Sequence, residues 1–256
     1  MSITEINGAN IYYNAYGKDK PYRAPLVLIH GSTSDSHTDW DLITPALAEH
    51  YHVFALDCRG HGKSNNPHMS YSFREMAGDI AAFVHAMGYE KSNIIGHSNG
   101  GNVALVTLME HPDVVKTCIP QAANAYVTPH LIEREPVYFD PDRIEREEPE
   151  WMNEMIALHE GVNGKDYWRT LVKITMIETI SKPNYSPEDL SRVTCPVLSI
   201  MGADDKANAA DQHAQYIADH IPNAELWVPE KTGHNVHQER PEEWIAKVLE
   251  FLERRG

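Results

Sequence analysis

The chain has 256 residues, 42% of them hydrophobic and 23% charged, which is ordinary for a folded domain with one sizeable core. Its formal charge of −15 would repel polyanions over most of the surface, arguing against nucleic acid and against docking on anionic lipid. No apolar run approaches the roughly 20 residues needed to cross a bilayer, and the start "MSITEINGANIYY" has neither a basic leader nor a long apolar stretch, so a cytoplasmic protein is expected.

In chain order, "ANIYYNAYG" alternates like an edge strand, and "APLVLIHG" is a short apolar run closed by glycine, as in a strand buried on both faces. "WDLITPALAEHY" reads as a helix, "HVFALDCRGHG" as a strand and its turn, and "SFREMAGDIAAFVHAMGY" as a helix. In that helix Met76, Ile80, Phe83, Val84 and Met87 recur at helical spacing and should face a sheet. "KSNIIGHS" is a strand, "GGNVALVTLMEHP" a helix and "VVKTCIPQAA" a strand. Later, "CPVLSIMGADD" and "AELWVPEKTGH" are strands followed by helical sequence, and "PEEWIAKVLEFLERR" is the last helix. Alternating strands and helices predict an α/β sheet with helices on both faces. Residues 124–190 break the rhythm with a proline-punctuated acidic segment and two amphipathic stretches. They are expected to form a helical cap on a core made of 1–123 and 191–256. Cys58, Cys118 and Cys195 stand far apart, without zinc or redox spacing, and are expected to be free thiols in a reducing cytoplasm.

The stretch "NIIGHSNGGNVALV" places Ser98 at a tight turn from a buried strand into a helix. Such a turn is strained, and Gly96 and Gly100 would relieve crowding where the two backbones approach closely. The turn thrusts the serine out at the carboxyl end of the sheet and aims helix N-terminal amides at whatever it attacks. Ser98 is therefore the candidate nucleophile. A serine hydroxyl needs a base, and that base needs an orienting acid. Of fifteen histidines, His234 sits on the loop after the last strand, level with Ser98. His237 is expected to flank a helix entry, and His30, His61 and His97 to make local hydrogen bonds. For the acid, Asp205 after "PVLSIMG" is preferred to its neighbour Asp204, while Asp57 should anchor the turn "DCRGHGKS". The order serine, aspartate, histidine is that of α/β-hydrolases rather than of the serine-protease folds. The backbone amides of Ser32, on the loop "LIHGSTSD", and of Asn99 are the candidate oxyanion donors.

"LIHGS", "DCRGHGKS", "GHSNGG", "MGADD" and "TGHNVHQERP" together resemble the capped branch of the α/β-hydrolase superfamily over nearly the whole chain outside the cap. That resemblance implies a mostly parallel eight-stranded sheet, no cofactor, and acyl transfer through a seryl intermediate on Ser98, with Asp205 as acid and His234 as base. A closer likeness, in "GHSNGG", "AANAYVT" and "GKDYWRTLVK", is to hydrolases of the valacyclovir-hydrolase type, which cleave amino-acid esters. There an aspartate after the nucleophile holds the substrate ammonium. This chain has Asn99, whose neutral amide points to a neutral acyl group.

The expected activity is hydrolysis of carboxylic esters with small or medium acyl groups. A lactonase on the same three side chains, or a non-catalytic ligand-binding protein on the same scaffold, are the alternatives. A serine at the elbow argues against epoxide opening and dehalogenation, which need a carboxylate there. The expected partner is a small-molecule ester, with no nucleic acid, membrane or metal and with homodimerisation left open. Tyr126, Trp151, Met152, Met155, Trp168 and Met176 are candidates for the acyl pocket, although such residues at helical spacing more often pack a cap onto its sheet. The run from Glu133 to Glu150 carries eight acids against three arginines and reads as a solvated charged face.

Overall fold

The computed structural model describes residues 2–20 and 22–256. Its first strands, β1 (Ser2–Ile6) and β2 (Ala9–Tyr16), form an antiparallel hairpin. After β3 (Leu26–Ile29) come two short helices, α1 (Ser36–Trp40) and α2 (Thr44–His50), then β4 (Val53–Leu56), α3 (Phe73–Ala86), β5 (Ser92–His97), α4 (Asn99–Glu110) and β6 (Val115–Gln121). Five helices follow: α5 (Pro129–Tyr138), α6 (Pro141–Glu147), α7 (Pro149–Asn163), α8 (Tyr167–Thr179) and α9 (Pro187–Leu190). The chain closes with β7 (Val197–Ile200), α10 (Ala214–His220), β8 (Ala224–Trp227), α11 (Val236–Glu239) and α12 (Pro241–Arg255).

The eight strands form one sheet in the order β1-β2-β4-β3-β5-β6-β7-β8, with β2 antiparallel to β1 and β4 and the remaining neighbours parallel. β2 is thus not an edge strand: the alternation in "ANIYYNAYG" is real, but β1 covers its outer side. Successive residues of the central strands point to opposite faces. Val27 and Ile29 join the core formed with α3, α4 and α10, whereas Leu26 and Leu28 join the core formed with α1, α2 and α12. In α12, Trp244, Val248, Phe251 and Leu252 make one buried stripe, each contributing about 1.5–3 kcal/mol of transfer free energy. The helix predicted over residues 40–51 starts later, as α2 with Pro45 in its first turn, and Trp40 instead ends the separate helix α1.

Prolines open four of the five helices between β6 and β7. Pro129, Pro141, Pro149 and Pro187 each open a helix, where the missing amide costs nothing. Phe139, Ile144, Met155, Trp168 and Val172 form a separate apolar cluster among these helices. No helix among the described residues is long and apolar enough to cross a membrane.

Candidate active site

Ser98 links β5 to α4 with φ 55° and ψ −123°, a left-handed conformation that costs energy in any residue but glycine. The surroundings enforce it. A Cβ on Gly96 would overlap the carbonyl of Gly100, and one on Gly100 would overlap the carbonyls of Ile29 and His30, so the elbow closes with bare backbone on both sides. The Ser98 amide donates to the Gln121 carbonyl at 2.9 Å, which ties the turn to β6.

Asp205 follows β7, and its side chain is fully buried. One carboxylate oxygen accepts from the amides of Ala207 and Asn208 at 2.8 and 3.1 Å, and the other accepts from His234 Nδ1 at 2.7 Å. Burial alone would raise the Asp205 carboxyl. The His234 hydrogen bond and charge, with the two amides, outweigh that and hold it below its ordinary value. Glu239 brackets His234, accepting from the amides of Gly233 and Asn235 at 2.7 and 3.1 Å. With Nδ1 committed to Asp205, the His234 nitrogen left for a reacting hydroxyl is Nε2. Ser98 and His234 line the same cavity, of about 560 Å³, together with Ser32 and Asn99. In this state the Ser98 hydroxyl makes no hydrogen bond to any described residue, as is common before a substrate tightens such a site.

The amides of Ser32 and Asn99 have no protein acceptor among the described residues, so both remain able to donate into the cavity. Asp39 fixes the loop that carries Ser32. Its Oδ2 accepts from the Gly31 amide at 2.6 Å and from His97 Nδ1 at 3.0 Å, joining that loop to the residue before Ser98. The Asn99 side chain donates to Thr179 Oγ1 at 3.1 Å and accepts from Asn102 at 3.3 Å. Asn102 in turn bonds Asn124 at 2.9 Å, a buried and neutral chain of amides.

Comparison with known proteins shows the family. The model of the alpha/beta hydrolase family matches residues 26–248. The chain belongs to that family. It is similar to the human serine hydrolase BPHL, 25% identical over 97% of this chain and 84% of that one. A soluble epoxide hydrolase of Corynebacterium sp. (strain C12) is 27% identical over 96% of this chain and 95% of its own. The structure of Est816, an N-acyl homoserine lactone degrading enzyme, superposes with a TM-score of 0.76 at 27% identity, covering 98% of this chain and 100% of that one.

For this α/β hydrolase the structure corrects most of the expected acyl-pocket residues. Trp151 lines the cavity. Met155 and Trp168 do not: both are buried in the apolar cluster of the five helices, with Met152 and Met176 against it. Tyr126 instead packs its ring edge-on against Tyr216 at 4.8 Å and tilted against His213 at 5.3 Å. Their apolar bulk is used to join helices to each other and to the core, where it removes more surface from water than a cavity wall would.

Sequence reading missed the charged part of the wall. Leu131, Arg134, Glu135 and Tyr138 face the cavity from α5, and Glu154 and Leu158 from α7. Glu135 is buried, and burial pushes its carboxyl above the ordinary value despite the Arg134 guanidinium that pairs with it. The signal was present: with Thr128 capping α5, Leu131, Glu135 and Tyr138 stand at i, i+4 and i+7 and share one face.

Asp39, His97 and His237 bring three ligand-type atoms within 4.8 Å of one another. Hydrogen bonding decides against an ion there. The Trp244 indole can only donate, and it donates to Gln121 Oε1 at 2.6 Å, which turns the Gln121 amide nitrogen onto His237 Nδ1 at 2.7 Å. His237 therefore carries its proton on Nε2 and has no lone pair to offer a metal. Burial lowers its pKa to about 3, so it stays neutral.

Proposed function

We propose that this hydrolase cleaves carboxylic esters of small or medium acyl groups through a seryl acyl-enzyme. One observation carries the reading: a buried aspartate orients His234 at 2.7 Å over the same cavity into which the strained Ser98 elbow opens. Ser98 attacks the ester carbonyl while His234 Nε2 takes its proton. The imidazolium is stabilised by Asp205, and the amides of Ser32 and Asn99 receive the oxyanion. Collapse returns the proton to the leaving alcohol. Water, deprotonated by the same imidazole, then releases the acid. A cavity of about 560 Å³ has room for an ester with a small or medium acyl group, and the neutral amide chain behind Asn99 suits an uncharged acyl end.

Replacing Ser98 by alanine should lower kcat on p-nitrophenyl butyrate by about three orders of magnitude or more. Near-native turnover by that variant would remove Ser98 from the chemistry. Lactone hydrolysis is the second reading, favoured by the likeness to Est816. A higher kcat/KM on an N-acyl homoserine lactone than on the matching open-chain ester would decide for it. Epoxide opening is disfavoured because a serine hydroxyl, not a carboxylate, stands at the elbow. We place the enzyme in the cytoplasm, since Cys58, Cys118 and Cys195 are all unpaired thiols.

A further inference from the structure

Of the fifteen residues of α7, two are buried: Met155, which joins the neighbouring helices, and His159 one turn later. A helix that gives one of two inward positions to an imidazole must satisfy both ring nitrogens, or the burial is costly. Both are satisfied by backbone of the core. The Gly62 amide donates to Nδ1 at 2.8 Å, and because an amide N–H can only donate, Nδ1 is the acceptor and the proton sits on Nε2. Nε2–H then donates to the carbonyl of Thr33 at 3.1 Å.

Thr33 follows Ser32, and it has φ 56°, a region that a β-branched residue enters only when held there. The Ser32 amide thus lies between anchors. On one side Asp39 holds the Gly31 amide at 2.6 Å and His30 Nδ1 donates to the Gly31 carbonyl at 2.7 Å, and on the other His159 holds the Thr33 carbonyl. Asp39 and His30 belong to the core, and His159 is the anchor supplied by the helices between β6 and β7. Plain docking of α7 does not require His159 to reach so far. Asn163, one turn further on, already bonds the loop after β4, accepting from the Asn66 amide at 2.9 Å and donating to the Ser64 carbonyl at 3.2 Å, with no hydrogen bond to residues 32–34.

We propose that His159 is a positioning residue for the reaction: through the Thr33 carbonyl it sets the Ser32 amide in the place where the oxyanion forms, so oxyanion stabilisation depends on α7 being docked. The proposal rests on the seryl reading above. Two substitutions separate its bonds. Asn at 159 keeps an acceptor near the Nδ1 position for Gly62 but cannot reach Thr33, whereas Gln carries an amide N–H near the Nε2 position and can.

The experiment compares His159→Asn, His159→Gln and Asn163→Ala on p-nitrophenyl butyrate, with butylboronic acid as a tetrahedral mimic and with amide hydrogen exchange over residues 31–35. His159→Asn should lower kcat by about 10–100-fold with KM changed less than about threefold, and weaken boronate binding by a similar factor. His159→Gln should recover most of both. Asn163→Ala should lower Tm and shift KM while leaving kcat and boronate affinity near wild type. If His159→Asn altered only KM and Tm, or Asn163→Ala matched it, the role would be docking and the proposal would fall. Should Ser98→Ala prove active, the seryl reading fails on its own. The anchoring is then judged by exchange: faster exchange at 31–35 in His159→Asn upholds it, and unchanged exchange overturns it.

Discussion

Asn99 shows how much a single atom decides at the mouth of α4. Its amide nitrogen donates to Thr179 Oγ1 and its oxygen accepts from Asn102, so the side chain is held between a helix of the cover and the core. A carboxylate at this position would keep an acceptor for Asn102 and gain a full charge, and Thr179 would have to turn its hydroxyl from the Thr175 carbonyl to meet it. We expect Asn99→Asp to raise kcat/KM for α-amino esters relative to the matching neutral esters by about tenfold or more, since ion-paired hydrogen bonds are roughly twice as strong as neutral ones. Paired assays of a valine ester and an isovalerate ester at pH 7 would measure the ratio. An unchanged ratio would mean that the substrate's acyl end does not reach this side chain.

At the scale of elements, the helices between β6 and β7 supply both a separate apolar cluster and part of the cavity wall. Trp168, buried in their apolar cluster, should cost about 3–5 kcal/mol of stability when cut to alanine, read as a large fall in Tm. Trp151→Ala, on the cavity wall and only at the margin of the same cluster, should instead shift KM and chain-length preference with a smaller fall in Tm than Trp168→Ala. The reverse pattern would exchange their roles. This division was not legible in the sequence, because Trp, Met and Tyr at helical spacing look alike whether they face a neighbouring helix or an empty cavity. The sheet was legible for the opposite reason. "APLVLIHG" carries the unbroken apolar run Leu26–Ile29 and "KSNIIGHS" the pair Ile94 and Ile95 ahead of the elbow, as central parallel strands require, and Ser98, Asp205 and His234 each come after a strand. What hid β1 was its exposure: its burial is nearly all exposed or intermediate, so its outer face carries no hydrophobic signal. His159 was invisible because its partners are backbone groups, the Thr33 carbonyl and the Gly62 amide, which no residue type announces.

Across the whole molecule, buried neutral histidines join loops that the sheet order brings to one edge. His159 links α7 to the loops after β3 and β4, and His237 links α11 to β6 through Gln121. His213 stands beside Tyr126 before α10. Burial is the first cause lowering all three, to about 4 for His159 and His213 and about 3 for His237. The carboxylates of Asp35 and Asp57 oppose the shift at His159, while His30 adds to it. In the unfolded chain each returns to the ordinary value of about 6.5, so between pH 6.5 and 4 the unfolded state binds more protons than the folded one. The stability these groups contribute is therefore complete above about pH 6.5 and is lost as pH falls through the folded values. For His159 alone the loss by pH 5 is roughly 2 kcal/mol. Tm should decline steadily from pH 7 to 5, well above the range where the depressed Asp205 carboxyl takes up its proton. The His159→Gln variant, which cannot titrate, should decline less steeply over the same interval. Equal slopes for the two proteins would show that the imidazole at 159 is not held neutral by its burial.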